Sequence, residues 1–369
     1  MAEHQGRRRF LATIAAGSTM AAANRLASPA VAQNQPQLSW RLTSAFPDSL
    51  EVMQGAAEVF VKYVAEETDN KFKIRIFPAG KLAAPIAAAD AVTKGKVEMA
   101  HTASSYYWGR DPTFALGTGL PFGLNARQMN AWMFEGGGLE LMNEFYARFN
   151  IIAIPAGNSG CQMGGWWRKQ IENLDDLKGK KMRVGGFAGK IVAKLGMIPV
   201  QMAGDDILPA LTKGKLDAAE WVGPYDDEKL GLYKGAKNYY YPGWWASGPM
   251  THIFINKASW DILPKAYQAI VTTAGAMANT TMLARYDAKN PAALKRLLRK
   301  GVQLRPFSKD IMEAAFAFAE DFYAETASSN RNFKRVFDNW KQFRADQYLW
   351  SQVAELGMDV FQAQAVNRS

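Results

Sequence analysis

Lys181-Met182-Arg183-Val184-Gly185-Gly186-Phe187 and Asp217-Ala218-Ala219-Glu220-Trp221-Val222-Gly223-Pro224-Tyr225 are the two runs that decide the reading of this 369-residue chain. Strand alternation in the first puts Met182 and Val184 on one face and Arg183 on the other, just before two glycines that let a ligand approach the backbone. The second is a small-residue strand that ends in an acid and a tryptophan at a Gly-Pro turn. Helical stretches from Ala188 to Leu195 and from Asp205 to Lys213 lie between them, so β-α-β geometry can return both ends to one cleft. A solvated surface arginine is the competing reading of Arg183. A binding role, the minority reading of the residue taken alone, gains weight because guanidinium grips a carboxylate with two parallel hydrogen bonds, and Gly185-Gly186 clears the approach.

The same alternation of elements begins earlier. Trp40 to Pro47 reads as a strand closed by a proline, and Val52, Ala56, Val59, Phe60, Tyr63 and Val64 recur at helical spacing between Leu50 and Thr68. Phe72 to Pro78 is a second strand, which makes the protein α/β. An internal echo then appears. Ala91-Val92-Thr93-Lys94-Gly95-Lys96-Val97-Glu98-Met99-Ala100 resembles Ala210-Leu211-Thr212-Lys213-Gly214-Lys215-Leu216-Asp217-Ala218-Ala219, each a helix end, a glycine stop and a strand. Tyr106-Tyr107-Trp108 follows the first copy and Trp221 the second, so two similarly built halves can face one crevice. Chance similarity over ten residues is the alternative.

Composition narrows the class. Lys and Arg number 44 against 34 Asp and Glu, a formal charge of +10, but the basic residues are scattered without a run or a nucleic-acid motif, which argues against nucleic acid as partner. A basic cleft for small anions fits the same balance. Arg7-Arg8-Arg9-Phe10-Leu11, an Ala-rich run and Ala30-Val31-Ala32 before Gln33 form a twin-arginine export signal over residues 1–32, too short and weakly apolar to span a bilayer. Cys161 is the single cysteine, so no internal disulfide exists, and it reads as a small buried apolar residue.

Further along, the strand Ile151 to Pro155 precedes Asn158, Gln162 and Gly164-Gly165-Trp166-Trp167; Gln162 is either a cleft hydrogen-bonding group or a turn residue. Tyr239-Tyr240-Tyr241-Pro242-Gly243-Trp244-Trp245 reads first as core or interface. After Asn256 the pattern is helical nearly to the end, with breaks expected near Pro264, Pro291 and Pro306. The last helices carry Phe333, Val336, Phe337, Trp340, Phe343, Tyr348, Leu349, Val353, Leu356 and Phe361, which need a surface in this chain or a second subunit. No nucleophile elbow, phosphate loop, dinucleotide fingerprint or His-based zinc motif is found. Asp226-Asp227-Glu228 reads as an exposed acidic turn before it reads as a metal cluster. The competing function is a periplasmic enzyme on a small organic acid, with Glu220 as base and Tyr106 or Tyr107 as acid.

Taken together, Trp40 to Phe46, Tyr106 to Pro112, Gln162-Met163-Gly164-Gly165-Trp166, Met182 to Gly189 and Glu220 to Glu228 resemble the periplasmic solute receptors of TRAP (tripartite ATP-independent periplasmic) transporters, nearest the α-keto-acid-binding branch. The resemblance covers essentially the whole mature chain. It implies a two-lobed α/β binding-protein fold with crossing strands and a long connecting helix, a receptor and not an enzyme, delivering its ligand to a sodium-driven membrane permease. Lobe 1 is expected over 33–160 plus part of 247–290, lobe 2 over 161–246 plus part of 291–328, and 329–369 as C-terminal helices swapped in a homodimer. The implied substrate-binding residues are Arg183, Gln162, Tyr106, Tyr107, Asn158, Phe187 and Trp221. A sodium or calcium ion is implied on Glu220, Gln162 and the backbone carbonyl of Trp221, all hard oxygen donors. The chain departs from the branch at Ala246, where related receptors often carry an acid after the paired aromatics, and Ser44, Ser104 and Ser105 allow a somewhat different polar pocket. The expected ligand is a 2-oxo or 2-hydroxy monocarboxylate with a small apolar tail.

Overall fold

The computed structural model describes residues 35–366; the export signal expected at 1–32 lies outside them. In chain order the first strands are β1 (Leu38–Ser44), β2 (Phe72–Phe77), β3 (Met99–Thr102), β4 (Ile151–Asn158), β5 (Trp166–Trp167) and β6 (Lys181–Arg183). They are followed by β7 (Ile198–Val200), β8 (Ala218–Ala219), β9 (Asn238–Tyr241), β10 (Met250–Asn256) and β11 (Gln303–Pro306). Two sheets result, one ordered β2-β1-β3-β10-β4 and the other β11-β9-β5-β8-β6-β7. In the first, β3 runs parallel to β1 and β10 runs antiparallel to both β3 and β4. In the second, β6 lies between β7 and β8, parallel to each.

The expected two-lobed α/β architecture is therefore present. The chain crosses from the first sheet to the second between Asn158 and Trp166, and returns between Tyr241 and Met250. Strand alternation does the sorting. Trp166 and Tyr239 stack at 4.0 Å in one buried cluster, while their neighbours Trp167 and Tyr240 point into the other. Most of the aromatic run 239–245 is core, as its composition suggests: Tyr239, Tyr240, Trp244 and Trp245 are buried, whereas Tyr241 is exposed.

The internal echo is structural. Helices Ala88–Thr93 and Gly204–Thr212 end at Gly95 (φ +65°) and Gly214 (φ +69°), left-handed positions that favour glycine. In each copy the two residues after the glycine donate to one helix carbonyl: Lys96 and Val97 to Ala91, Lys215 and Leu216 to Ala210. The same stop turns the chain into β3 in one half and β8 in the other.

Three sequence expectations are corrected. Pro291 does not break the chain: Lys265–Arg299 is one 35-residue helix, held through the lost hydrogen bond by buried Met282, Tyr286, Ala293 and Leu297 on either side. The region beyond Asn256 is not wholly helical, because Gln303–Pro306 adds β11 at the sheet edge, with its proline at the strand end. Cys161 is exposed, since it lies in the segment that leaves the first sheet for the second. No described helix is long and apolar enough to cross a membrane.

The C-terminal helix Arg331–Ser351 finds its surface in part at home. Phe333, Val336, Phe337 and Trp340 are buried against the chain's own aromatics, Tyr323 among them. Beyond them Leu349, Trp350, Val353, Leu356, Met358 and Phe361 are exposed.

In the adjacent strands β3 and β10 of the first sheet, His101 and His252 are fully buried. His252 sits between Tyr146 and Phe254 with neither ring nitrogen hydrogen-bonded. Burial lowers its pKa to about 3, with a smaller contribution from His101. An unfolded histidine ionises near 6.5, so the unfolded state takes up more protons between these values and stability falls as the pH drops through that window. His252→Met is expected to lose less stability than the native chain between pH 7 and pH 5 in urea denaturation; equal losses would contradict this account.

Candidate functional site

The register of the second sheet builds the site. Arg183 at the end of β6 pairs with Ala219 of β8, which places Glu220 beside the arginine, and the Glu220 N–H donates to the Arg183 carbonyl at 3.1 Å. Met182 and Val184 point into the hydrophobic core, so Arg183 faces the other way, as alternation requires. It is only 4% exposed, which rules out the solvated reading.

A buried guanidinium needs partners. Arg183 Nη1 donates to the Glu220 carboxylate at 2.5 Å and to the Glu220 carbonyl at 2.8 Å, and Nε donates to the Met202 carbonyl at 3.3 Å. Its carbon lies 4.8 Å from the centre of the Trp221 ring, a cation–π contact. Glu220 also accepts the Gly185 N–H at 3.0 Å. Burial pushes the Glu220 carboxyl up, while Arg183 and that N–H pull it down. Burial likewise raises the Tyr106 phenol; the Arg183 charge opposes this, Glu220 adds to it, and a hydrogen bond with Arg183 lowers it.

These groups line a cavity of about 100 Å³ that draws on both sheets. Tyr106, Gln162, Arg183, Phe187, Glu220 and Trp221, all expected from the sequence, meet in its wall. Tyr107 and Asn158 do not. The Tyr107 hydroxyl turns into the core, where it pairs with Thr102 Oγ1 at 2.8 Å and accepts the Ala89 N–H at 3.1 Å. Asn158 bonds the Gly248 carbonyl and the Gly160 N–H, tying the two crossing segments together. Of the three serines, Ser105 lines the cavity, whereas Ser44 caps the Phe46 N–H and Ser104 bonds Tyr146 and the Phe114 carbonyl. The enzymatic reading thus keeps one of its two acids, Tyr106.

Phe46, Met53, Trp245 and Met250 complete the apolar wall without having been singled out. Phe46 and Trp245 stand in runs that the sequence flags, but nothing local marks Met53 or Met250. Ala246 also faces the cavity, so an acid there would project into it. Asp226-Asp227 is not an exposed turn: both acids are buried at the start of helix Pro224–Lys229, where Tyr286 donates to Asp226, and Trp166 and Tyr239 donate to Asp227. Neither acid lines the cavity, and the pKa of each carboxyl is raised to about 7, burial being the main cause.

The profile of the family described as "Bacterial extracellular solute-binding protein, family 7" (DctP) matches residues 44–330. The chain belongs to the DctP family of TRAP solute-binding proteins. A relative from Nostoc sp., a monocarboxylate 2-oxoacid-binding periplasmic protein, is 48% identical over 88% of this chain and 89% of its own length. Among solved structures, a TRAP transporter solute-binding protein from Bordetella bronchiseptica has a TM-score of 0.89 at 43% identity, covering 90% of this chain and 99% of that one. It is a mixed-occupancy dimer with copurified calcium and picolinate. A Pseudoalteromonas atlantica protein with sodium and pyruvate has a TM-score of 0.84 at 34% identity, covering 87% and 98%. One from Colwellia psychrerythraea, with calcium and pyruvate, reaches 0.85 at 31% identity, covering 87% and 98%.

The buried pair generates a stability prediction. Glu220→Ala leaves Arg183 charged and desolvated and is expected to cost about 3–5 kcal/mol of folding free energy. Adding Arg183→Met should return part of that loss in urea denaturation; strictly additive losses would show that the two side chains are not coupled.

Proposed function

We propose that the protein is the extracytoplasmic receptor of a TRAP transporter, closing its two lobes around a small 2-oxo or 2-hydroxy monocarboxylate and handing it to a sodium-driven permease. The observation that carries this reading is one fixed guanidinium, buried in a small cavity whose remaining wall is mainly aromatic and aliphatic. A carboxylate entering such a space loses its water, and Arg183 replaces that hydration with charge-assisted hydrogen bonds. Phe46, Met53, Phe187, Trp245 and Met250 suit a short apolar tail. Pyruvate, found in two of the related structures, fits this description.

Glu220 sets the condition on such binding, because a second buried anion beside the ligand is repulsive. The described residues contain no cluster of three or more His, Cys, Asp or Glu able to hold a metal ion. What the cavity offers is oxygen: the Glu220 carboxylate, the Gln162 side chain, and the Trp221 carbonyl, which accepts no hydrogen bond among the described residues. This donor set fits sodium or calcium with coordination completed by ligand oxygens. A bound cation supplies the positive charge that lets Glu220 and the ligand carboxylate share the cavity. Glu220 can then hold the cation while Arg183 turns its donors to the ligand. With Ala246 in place of an acid, Glu220 is, among the described residues, the one carboxylate in the cavity wall.

The same reading places the mature protein in the periplasm, exported by the twin-arginine route through residues 1–32. It divides the chain into lobe 1 (33–160 plus part of 247–290), lobe 2 (161–246 plus part of 291–328) and the C-terminal helices (329–369). The apolar face at Leu349, Trp350, Val353, Leu356 and Phe361 is covered by a second copy in a helix-swapped homodimer. Sedimentation should give a dimer at micromolar concentration for the mature protein, and a shift to monomer when Trp350 and Phe361 are both changed to Glu. A native monomer would refute the assignment.

Arg183→Lys is the direct test of the receptor function. It removes the two-pronged geometry while keeping the charge, and should weaken pyruvate binding by about 2–5 kcal/mol in calorimetry. Unchanged affinity, or recovery of a chemically altered acid after long incubation, would overturn the reading.

A further inference from the structure

Behind the cavity wall lies a hydrogen-bonded acid that ligand contact does not explain. Asp227 is buried, and its two oxygens are divided between two tasks. Oδ2 accepts the Trp166 indole N–H at 2.8 Å and the Tyr239 hydroxyl at 2.7 Å. Oδ1 accepts the Val222 N–H at 3.2 Å. Trp166 and Tyr239 are themselves locked face to face, so the carboxylate has little freedom to rotate.

We propose that Asp227 is a positioning residue for the cation, acting through the peptide unit that joins Trp221 to Val222. This rests on the reading above that the Trp221 carbonyl is a cation ligand. The peptide is trans, so its C=O and N–H point in opposite directions. Trp221 and Val222 stand in the cavity wall and Asp227 does not. Fixing the N–H on Asp227 therefore turns the carbonyl away from the buried acid, toward the cavity.

The neighbouring carbonyls are committed elsewhere. Glu220 O accepts from Arg183 at 2.8 Å, and Val222 O accepts the Met163 N–H at 3.0 Å. The Trp221 oxygen is left to serve a cation. A carboxylate bonded to the N–H end of a peptide also polarises it, making its oxygen a stronger donor. Asp227 thus acts on both the direction and the basicity of a ligand it does not touch, as partners behind metal ligands do.

The sequence supplies a clean probe, because Trp-Val occurs once, at 221–222. Labelling with carbonyl-13C tryptophan and 15N valine gives one resonance for this peptide. Calcium chloride is titrated into the mature protein with saturating pyruvate, in the native chain and in Asp227→Asn, Asp227→Ala and the ligand control Glu220→Gln. Pyruvate affinity is measured separately in chelator without sodium.

In the native chain calcium should shift the Trp221 carbonyl resonance. Asp227→Asn should move the Val222 amide proton upfield before calcium is added. Both Asp227 variants should weaken calcium binding by about 10- to 100-fold, with pyruvate affinity in chelator unchanged. If Glu220→Gln weakens calcium binding and the Asp227 variants do not, the positioning role is overturned and the cation reading stands. Parallel loss of calcium binding and of cation-free pyruvate binding would assign Asp227 a purely structural part and also overturn it. A resonance indifferent to calcium removes the Trp221 ligand, and this proposal with it, even where a variant fails to fold; calcium binding indifferent to Glu220 removes the wider cation reading.

Discussion

The ion pair between Arg183 and Glu220 is the interaction on which the rest of the molecule is arranged. A guanidinium and a carboxylate that are both nearly sealed from water tolerate that position only if each is held by several partners. The parallel register of β6 and β8 supplies them, since it sets Glu220 alongside Arg183 and brings the Gly185 N–H and the Glu220 carbonyl into the same network. The result is a charge pair fixed by backbone geometry instead of by flexible side-chain choice. In the function proposed above, ligand and cation take the places of its two halves, so that neither charge is left bare.

Much of this was legible because it is local. The face taken by Arg183 follows from alternation across three residues, and the glycine stops at Gly95 and Gly214 announce themselves by spacing. Each then leads to a strand end at the cavity, through Tyr106 in one half and Trp221 in the other. Tyr107 shows the limit. It neighbours Tyr106 in the chain, yet the turn Ser104–Tyr107 sends the two rings opposite ways, and only the position of Thr102 and Ala89 decides which one is core.

Other features were hidden for the same reason. Asp226 and Asp227 look like a solvated turn because their partners, Trp166, Tyr239 and Tyr286, come from distant parts of the sequence. Met53 and Met250 enter the cavity wall only once the two sheets are brought together. Pro291 reads as a helix break locally, and is overruled by packing along a helix that contacts both halves. Periodicity finds faces, but it does not say which distant donor will satisfy a buried acid.

Gly186 carries a further consequence. Its backbone, at φ +57°, passes so near Ser105 that an added methyl carbon would stand 3.2 Å from the serine Cβ. Ser105 follows β3 of one sheet and Gly186 follows β6 of the other, so this is where the jaws meet. A side chain at position 186 would press on this serine from a left-handed backbone that residues other than glycine rarely adopt, so the close approach of the two sheets here depends on a missing side chain.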